Sequence, residues 1–470
     1  MLFNSFEFLL FFPTVVLLYY FIPVKFRWLF LLISSYYFYM NWKPVYAFLI
    51  FFSTIITWTA GILISQNKNK RLKKTVLVGS LVINLSILFT YKYLGFINDN
   101  LNELINFFNL RMEIPDFDIL LPVGISFYTF QSVGYTLDIY RGDLKPEKHL
   151  GVYALFVSFF PQLVAGPIER AKNLLPQFHE TKKFKIENFK TGMYLIIWGY
   201  FMKVVISDRI GMYVDATYNN LDLHNGTTLL ISTIFFSFQI YCDFAGYSSI
   251  AIGAAKIMGF NLMTNFRRPY FSVNISEFWS RWHISLSTWF RDYLYIPLGG
   301  NRVSKPREYF NLFLTFLISG LWHGANWTFI IWGGLHGLFN SLQKFFKIDK
   351  LSFRKISYQK FLFFALNFTL VIFAWIFFRA NSVADAFTII TKIFSQPGDI
   401  YIGSISTLMY GVFGLSILLF KEIREEFFPN RMKLLQSKND VISSFSLSVL
   451  VVIILSIGVF NGGQFIYFQF

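Results

Sequence analysis

The chain alternates between apolar runs of bilayer length and short charged loops. A helix that crosses a membrane needs about 20 apolar residues, and each run close to that length predicts one transmembrane helix. The pattern therefore predicts about ten spans. They lie at 3–23, 27–42, 45–65, 75–94, 119–139, 191–207, 227–250, 361–378, 406–420 and 441–460.

Loop charges predict the orientation of these spans. The loop at 66–74 reads QNKNKRLKK and should be cytoplasmic, because Lys and Arg concentrate on that side. The mostly acidic loop at 95–118 then lies outside, and the count of spans places both termini outside. The first run lacks a basic leader and a small-residue cleavage site, so we expect a retained span.

Two apolar segments lie between loops that are both basic. A single crossing would put those loops on opposite sides of the membrane, so we expect 151–168 and 308–342 to enter the membrane and return. Pro161 and Gly166 would break the first segment. In the second, His323 falls near the turning point, inside the membrane.

An amphipathic helix is predicted between Asn274 and Ile296. Its apolar residues recur at intervals of three and four, Asn274 with Glu277 resembles a capping box, and Pro297 follows the end. The tryptophan-rich stripe indicates a helix in the cytoplasmic interface. The stripe and the charged faces are formed by Trp279, Trp282, Leu286, Trp289, Phe290 and Tyr293, and by Arg281, Arg291 and Asp292.

The composition agrees with a membrane protein. Hydrophobic residues make up 55% of the chain, and the mean hydropathy is +0.49. The net charge of +16 comes from loops between apolar runs, so we expect no nucleic-acid partner. Cys242 is the single cysteine and predicts neither a disulfide nor a metal site. The chain is predicted to be all-α and polytopic, with one domain over 1–470 and a motif core at 239–337.

His323 is the strongest candidate for chemistry. Ionisable side chains inside a membrane are costly and are usually functional. Burial favours a neutral imidazole, which can accept a proton from a hydroxyl as a general base in acyl transfer. The alternative is a structural histidine bonded to a backbone carbonyl.

Other polar residues leave more than one interpretation open. His283, at the edge of the stripe, is as consistent with a structural role as with a functional one. Asn326, one helical turn after His323, could orient it, bind an acyl oxygen or only pack. His336 is more typical of a structural residue. Gln239 and Asp243 share a helical face, and we expect Asp243 to form a structural ion pair with Arg267 or Arg268.

The sequence lacks the GxSxG, P-loop and HExxH motifs. This argues against a serine hydrolase, an ATP-driven pump and a zinc protease.

Five stretches resemble the membrane-bound O-acyltransferase family, in its bacterial branch that acts on alginate, peptidoglycan or teichoic acid. They read LPVGISFYTFQ, SFFPQLVAGPIER, QIYCDFAGYSSIAIG, FWSRWHISLSTWFRDYLYIPLGG and GLWHGANWTFIIWGGLHG. The resemblance implies a multi-pass enzyme of the bacterial cytoplasmic membrane. It also implies that His323 is the catalytic histidine and His283 the second polar residue of the site.

The expected reaction moves an acetyl group from a cytoplasmic thioester, acetyl-coenzyme A or an acyl carrier protein, toward hydroxyls of a cell-surface polysaccharide. We expect surrounding lipid, an extracytoplasmic partner resembling an SGNH hydrolase, and neither a bound cofactor nor a metal. Trp282 and Trp322 should exclude water, and the remaining candidates for binding or orienting substrate are Gln239, Asp243, Arg291, Asp292 and Asn326.

Three alternatives remain open at this point. The main one within the enzyme class is D-alanyl transfer to teichoic acid. A polysaccharide or lipid transporter would also hold polar residues in the membrane, although we find no internal sequence symmetry between halves. A scaffold that only anchors the SGNH-like partner would not require His323.

Overall fold

The computed structural model describes residues 1–110, 112, 114–115, 120–164, 166–350, 358–428, 440–460 and 465–466. Over these residues the secondary structure is helical, and no strand occurs. Parts of the predicted outer loop at 95–118 and of the basic stretches 344–360 and 421–438 lie outside the described residues. The chain forms two compact units.

The first unit comprises Met1–Lys185, Ile257–Leu262 and Gly324–Asn326. Its helices are α1 (Phe6–Phe21), α2 (Arg27–Met40), α3 (Tyr46–Gln66), α4 (Lys70–Lys92), α5 (Leu94–Phe107), α6 (Ile125–Arg141), α7 (Leu150–Ser158), α8 (Phe160–Leu163) and α9 (Ala171–His179).

The second unit comprises Ile186–Lys256, Met263–His323 and Trp327–Phe470. A π-helical stretch, Phe201–Ser207, joins α10 to α11, and another, Arg291–Tyr295, follows α14. The helices are α10 (Ile186–Tyr200), α11 (Asp208–Tyr218), α12 (Gly226–Ile257), α13 (Ile275–Arg281), α14 (Ile284–Phe290), α15 (Lys305–His323), α16 (Trp327–Phe345), α17 (Tyr358–Arg379), α18 (Val383–Ser395), α19 (Ile405–Phe427) and α20 (Asp440–Ile457).

All ten predicted spans overlap helices. Six helical segments among the described residues are long and apolar enough to cross a membrane, and the apolar helices Phe6–Phe21 and Val441–Ile457 are shorter. The chain is therefore a polytopic helical membrane protein. The number of about ten crossings stays a prediction. The six segments are Tyr46–Gln66, Lys70–Lys92, Ile186–Tyr218, Gly226–Ile257, Tyr358–Arg379 and Ile405–Phe427.

The predicted break in 151–168 is present in the first unit. Helix α7 ends at Ser158, and Pro161 lies in the first turn of the short helix α8. A Cβ on Gly166 would come within 2.3 Å of the Cα of Gln162, so this tight path requires glycine. The return of this segment within the membrane stays a prediction.

The segment 308–342 is a helical hairpin, as predicted. Helix α15 ends at His323, residues 324–326 form the turn, and α16 runs back. The two helices approach closely because Gly320 and Gly333 face each other's backbone. A Cβ on Gly320 would lie 2.2 Å from the carbonyl oxygen of Phe329, and one on Gly333 would lie 2.4 Å from that of Phe316.

The prediction of one amphipathic helix over 274–296 is wrong. The cap exists, since Asn274 Oδ1 accepts from the N–H of Glu277 at 2.8 Å. The helix nevertheless breaks at His283, which takes the left-handed conformation with φ 42°. Helices α13 and α14 flank this residue. The stripe is therefore divided, with Trp279 on α13, Leu286, Trp289 and Phe290 on α14, and Tyr293 in the π-helical stretch that follows. The interfacial location of the segment stays a prediction.

Candidate active site

His323 is the last residue of α15 and is 2% exposed. Its ring contacts the rings of Trp322 and Trp332, each with centroids 4.9 Å apart, and that of Phe378 at 5.6 Å. The planes of His323 and Trp332 meet at 87°, an edge-on geometry that aromatic pairs favour. The prediction of a buried histidine at the hairpin turn is confirmed.

Five buried aromatic side chains contact His323 or pack behind the rings that do, and we call them the aromatic box: Trp282, Trp322, Trp332, Trp375 and Phe378. Trp332 stacks on Trp375 at 5.7 Å, and Trp375 contacts Trp282 at 5.2 Å. Trp282 directly follows α13, the other side chains come from α15, α16 and α17, and all five are at most 4% exposed. The imidazole therefore lies in a buried, aromatic environment. Trp322 touches His323 directly, whereas Trp282 reaches it through Trp375 and Trp332.

His283 lies fully buried at the break between α13 and α14. Its Nδ1 is 3.2 Å from Oδ1 of Asn265, which also accepts from the backbone N–H of Ser285 at 3.2 Å and from its hydroxyl at 2.9 Å. The bond from the backbone N–H of Ser285 identifies this side-chain atom of Asn265 as the amide oxygen, which can only accept hydrogen bonds. The Nδ1 of His283 is therefore the donor and carries a proton. Burial lowers the pKa of His283 to about 3, so the ring is neutral with Nε2 as an acceptor.

Both histidines contact the indole of Trp322. The ring of Trp322 is 6.2 Å from that of His283 and 4.9 Å from that of His323. The ring of His283 also contacts that of Phe244 of α12 at 4.6 Å. Phe244 in turn contacts Phe465 at 5.5 Å, which brings a residue near the C-terminal end into the surroundings of the site.

His336 lies on α16 and is fully buried. Its Nδ1 accepts a hydrogen bond from Nε1 of Trp279 at 3.3 Å, and its ring lies 5.0 Å from that of Trp332. These contacts agree with a structural histidine that supports the aromatic box.

Asp243 forms the expected buried ion pair, but with a different cation. Lys203 Nζ lies 2.6 Å from Asp243 and 2.7 Å from Asp208, and the amide of Ile466 donates to Oδ2 of Asp243 at 2.7 Å. The predicted partner Arg268 instead pairs with Glu426 at 2.8 Å. The prediction of Arg267 or Arg268 as the partner is wrong. The cation that contacts the carboxylate of Asp243 is Lys203, which lies on the π-helical stretch Phe201–Ser207.

The structure also describes the surroundings of the other residues predicted to bind or orient substrate, whose role stays a prediction. Asn326 is not one helical turn after His323, because α15 ends at His323 and residue 326 lies in the turn. Arg291 and Asp292 pair with each other at 2.8 Å, with the Arg291 side chain 59% exposed. Gln239 packs beside Gly211, where a Cβ would lie 2.7 Å from its Nε2.

The model of the membrane-bound O-acyltransferase family matches residues 148–385, about half of the chain. The chain belongs to this family. The probable alginate O-acetylase of Pseudomonas aeruginosa is 39% identical over 427 residues, which cover 89% of this chain and 80% of that protein. The peptidoglycan O-acetyltransferase of Helicobacter pylori is 33% identical over 424 residues, covering 82% and 79%. The teichoic acid D-alanyltransferase of Bacillus subtilis is 32% identical over 248 residues, covering 50% and 61%.

This membrane-bound O-acyltransferase is therefore an enzyme of acyl transfer, as predicted. Several parts of its candidate site were missed by sequence reasoning. Trp332 could have been paired with Trp322 across the predicted hairpin turn. Nothing in the spacing of the chain pointed to Trp375, Phe378, Asn265 or Lys203. Among the described residues of this acyltransferase, no group of three or more His, Cys, Asp or Glu side chains could hold a metal ion.

Proposed function

We propose that this acyltransferase moves an acetyl group from a cytoplasmic thioester toward hydroxyls of a cell-surface polysaccharide, with His323 as the general base. The observation that carries the proposal is the burial of the His323 ring at the hairpin turn, enclosed by the aromatic box. The names of the Pseudomonas and Helicobacter relatives support acetyl transfer to a polysaccharide. The expected location is the bacterial cytoplasmic membrane.

In the proposed step, a neutral ring nitrogen of His323 takes the proton of the acceptor hydroxyl while the hydroxyl oxygen attacks the thioester carbonyl. The tetrahedral intermediate collapses, the C–S bond breaks, and the leaving thiolate receives the proton from the imidazolium. If the mechanism is ping-pong, His323 instead carries the acetyl group between the two half-reactions. In both cases the aromatic box limits hydrolysis by excluding water.

The remaining parts of the proposal concern the substrates and the partner. His283 supplies a neutral Nε2 acceptor near Trp322, which suits either contact with substrate or shaping of its path. The donor is acetyl-coenzyme A or an acyl carrier protein thioester. An extracytoplasmic protein resembling an SGNH hydrolase completes transfer to the glycan.

Transfer of label from radiolabelled acetyl-coenzyme A by membranes tests this proposal. We expect His323→Ala to lower the rate by about 10²- to 10⁴-fold, which is typical for loss of a general base. His224→Ala is the matched control, because His224 also lies in the second unit, where its ring contacts Tyr401. A folded His323→Ala protein with near wild-type transfer would disprove the assignment.

D-alanyl transfer is the second candidate function, and the match to the Bacillus D-alanyltransferase favours it. Wild-type membranes that leave acetyl-coenzyme A unchanged but consume a D-alanyl carrier-protein thioester would identify it. Loss of that turnover in His323→Ala would still assign the same histidine to acyl transfer.

A further inference from the structure

The first unit contains a cavity of about 260 Å³ that has no role in the proposed chemistry. Its walls come from the α1–α2 connection, the start of α7, the end of α9 and Phe260. None of the residues proposed for catalysis lines it. Typical small-molecule pockets measure about 300–1,000 Å³, so this cavity suits one end of a larger ligand.

Two cations at this cavity have no carboxylate partner among the described residues. The guanidinium of Arg27 donates to the carbonyl oxygens of Ile22, Lys182 and Tyr20 at 3.1, 2.6 and 3.2 Å. It also forms a hydrogen bond with the hydroxyl of Tyr19, so the acceptors that the structure gives Arg27 are all uncharged. Lys25 is exposed and lies over the ring of Phe26 at 4.8 Å.

The carboxylates near the cavity already have partners. Glu180 pairs with Lys182 at 2.6 Å. Glu147 accepts from the backbone N–H of His149 at 2.8 Å and lies 2.7 Å from Nε2 of His179. The charges of Lys25 and Arg27 are therefore left to attract an anion.

His149 also lines the cavity and offers a hydrogen-bond donor there. Its Nδ1 accepts from the backbone N–H of Val152 at 3.2 Å, so in the neutral ring the proton lies on Nε2. A phosphate oxygen is a suitable acceptor for such a donor.

The lining of the cavity also includes aromatic side chains. The ring of Trp28 lies 4.6 Å from that of His149, and its position depends on Gly151, where a Cβ would come within 2.2 Å of the indole. Phe178 and Phe260 line another part, with ring centroids 5.2 Å apart. A ligand that combines an anionic group with a ring or an acyl chain fits this division.

We propose that this cavity binds a phosphate-bearing ligand, with the phosphate at Lys25 and Arg27 and the ring or chain against Trp28 and Phe178. In the orientation predicted from loop charges, the 24–26 connection and the loops 140–149 and 169–190 are cytoplasmic. Two sources supply such a phosphate on that side: the nucleotide end of coenzyme A and the headgroup of an anionic phospholipid. The site does not depend on the catalytic role of His323.

The test measures two probes on the purified full-length protein. Coenzyme A binding is followed by equilibrium dialysis in an uncharged detergent, and retention of phosphatidylglycerol is followed by native mass spectrometry. We expect Lys25→Gln to weaken the binding of one of the two probes by about tenfold, which is typical for loss of one charge-assisted contact. Lys43→Gln is the matched control, because Lys43 is also exposed and lies over a ring, that of Tyr46.

The pattern of losses identifies the source of the phosphate. Weaker coenzyme A binding with unchanged lipid retention supports the nucleotide, and the reverse supports the lipid headgroup. Gly151→Ala, which displaces Trp28, should weaken the same probe. Unchanged binding of both probes in Lys25→Gln would overturn the proposal. His323→Ala should bind both probes like wild type, which separates this test from that of the proposed function.

Discussion

Trp332 meets His323 edge-on, with ring centroids 4.9 Å apart and planes at 87°. The indole comes from α16 and the imidazole from α15, so the hairpin itself fixes this contact. Trp332 is fully buried, and its Nε1 has no hydrogen-bond acceptor among the described residues. The contacts that the structure gives Trp332 are therefore ring packing.

Replacing Trp332 by Leu should impair transfer more than it impairs consumption of the donor. The smaller side chain opens the wall beside His323 and admits water, and a displacement of about 1 Å can cost roughly 10²-fold in rate. We expect a 10- to 100-fold loss of transfer together with increased thioester hydrolysis, measured without acceptor. Trp327→Leu is the control, because Trp327 lies on the same helix and is 53% exposed. An unchanged ratio of transfer to hydrolysis in Trp332→Leu would contradict the role of the wall.

The close approach of α15 and α16 makes a prediction about stability. Gly320→Ala would place a methyl group 2.2 Å from a backbone oxygen, and backbone cannot move aside cheaply. We expect a loss of about 1–3 kcal/mol, seen as a lower Tm in detergent. Gly334→Ala is the matched control on the same hairpin, since its Cβ would meet Leu317 only at 3.7 Å. Equal Tm values for the two variants would show that α15 and α16 can move apart to accept the methyl group without a loss of stability.

The hairpin itself could be predicted from the sequence, whereas much of the site could not. Basic flanks on both sides of 308–342 required the chain to return, and this placed His323 at the turn. The break of the helix at His283 could not be predicted, because the spacing of hydrophobic residues does not report the left-handed conformation of a single residue. Asn265 and Lys203 are distant in sequence from the side chains they contact, so only the folded chain reveals them.

Lys203 holds two buried carboxylates, Asp208 and Asp243, and all three side chains are at most 5% exposed. Lys203→Met should destabilise the protein by roughly 3–5 kcal/mol, because it leaves both carboxylates without their cation. The double variant Lys203→Met with Asp243→Asn should recover part of this loss. Thermal unfolding in detergent measures both effects. A double variant no more stable than Lys203→Met would show that Asp243 does not depend on Lys203.

His283 predicts a specific dependence of stability on pH. It lies outside the six long apolar segments, and burial lowers its pKa to about 3, whereas an unfolded histidine titrates near 6.5. Below pH 6.5 the unfolded state therefore binds more protons than the folded state. The contribution of the neutral His283 ring to the free energy of unfolding is therefore fully present above pH 6.5. It is lost as the pH falls toward 3, by about 1.4 kcal/mol for each pH unit.

His283→Asn isolates this effect, because asparagine tolerates the left-handed conformation that residue 283 adopts. We expect wild type to be the more stable protein at pH 7.5, since the variant loses the contact of the imidazole with Asn265. The difference in Tm should then narrow as the pH is lowered from 7 to 5, because only wild type has the titrating ring at this position. A difference in Tm that stays constant over this range would mean that His283 is not protonated on unfolding, which is incompatible with a neutral, buried imidazole in the native site.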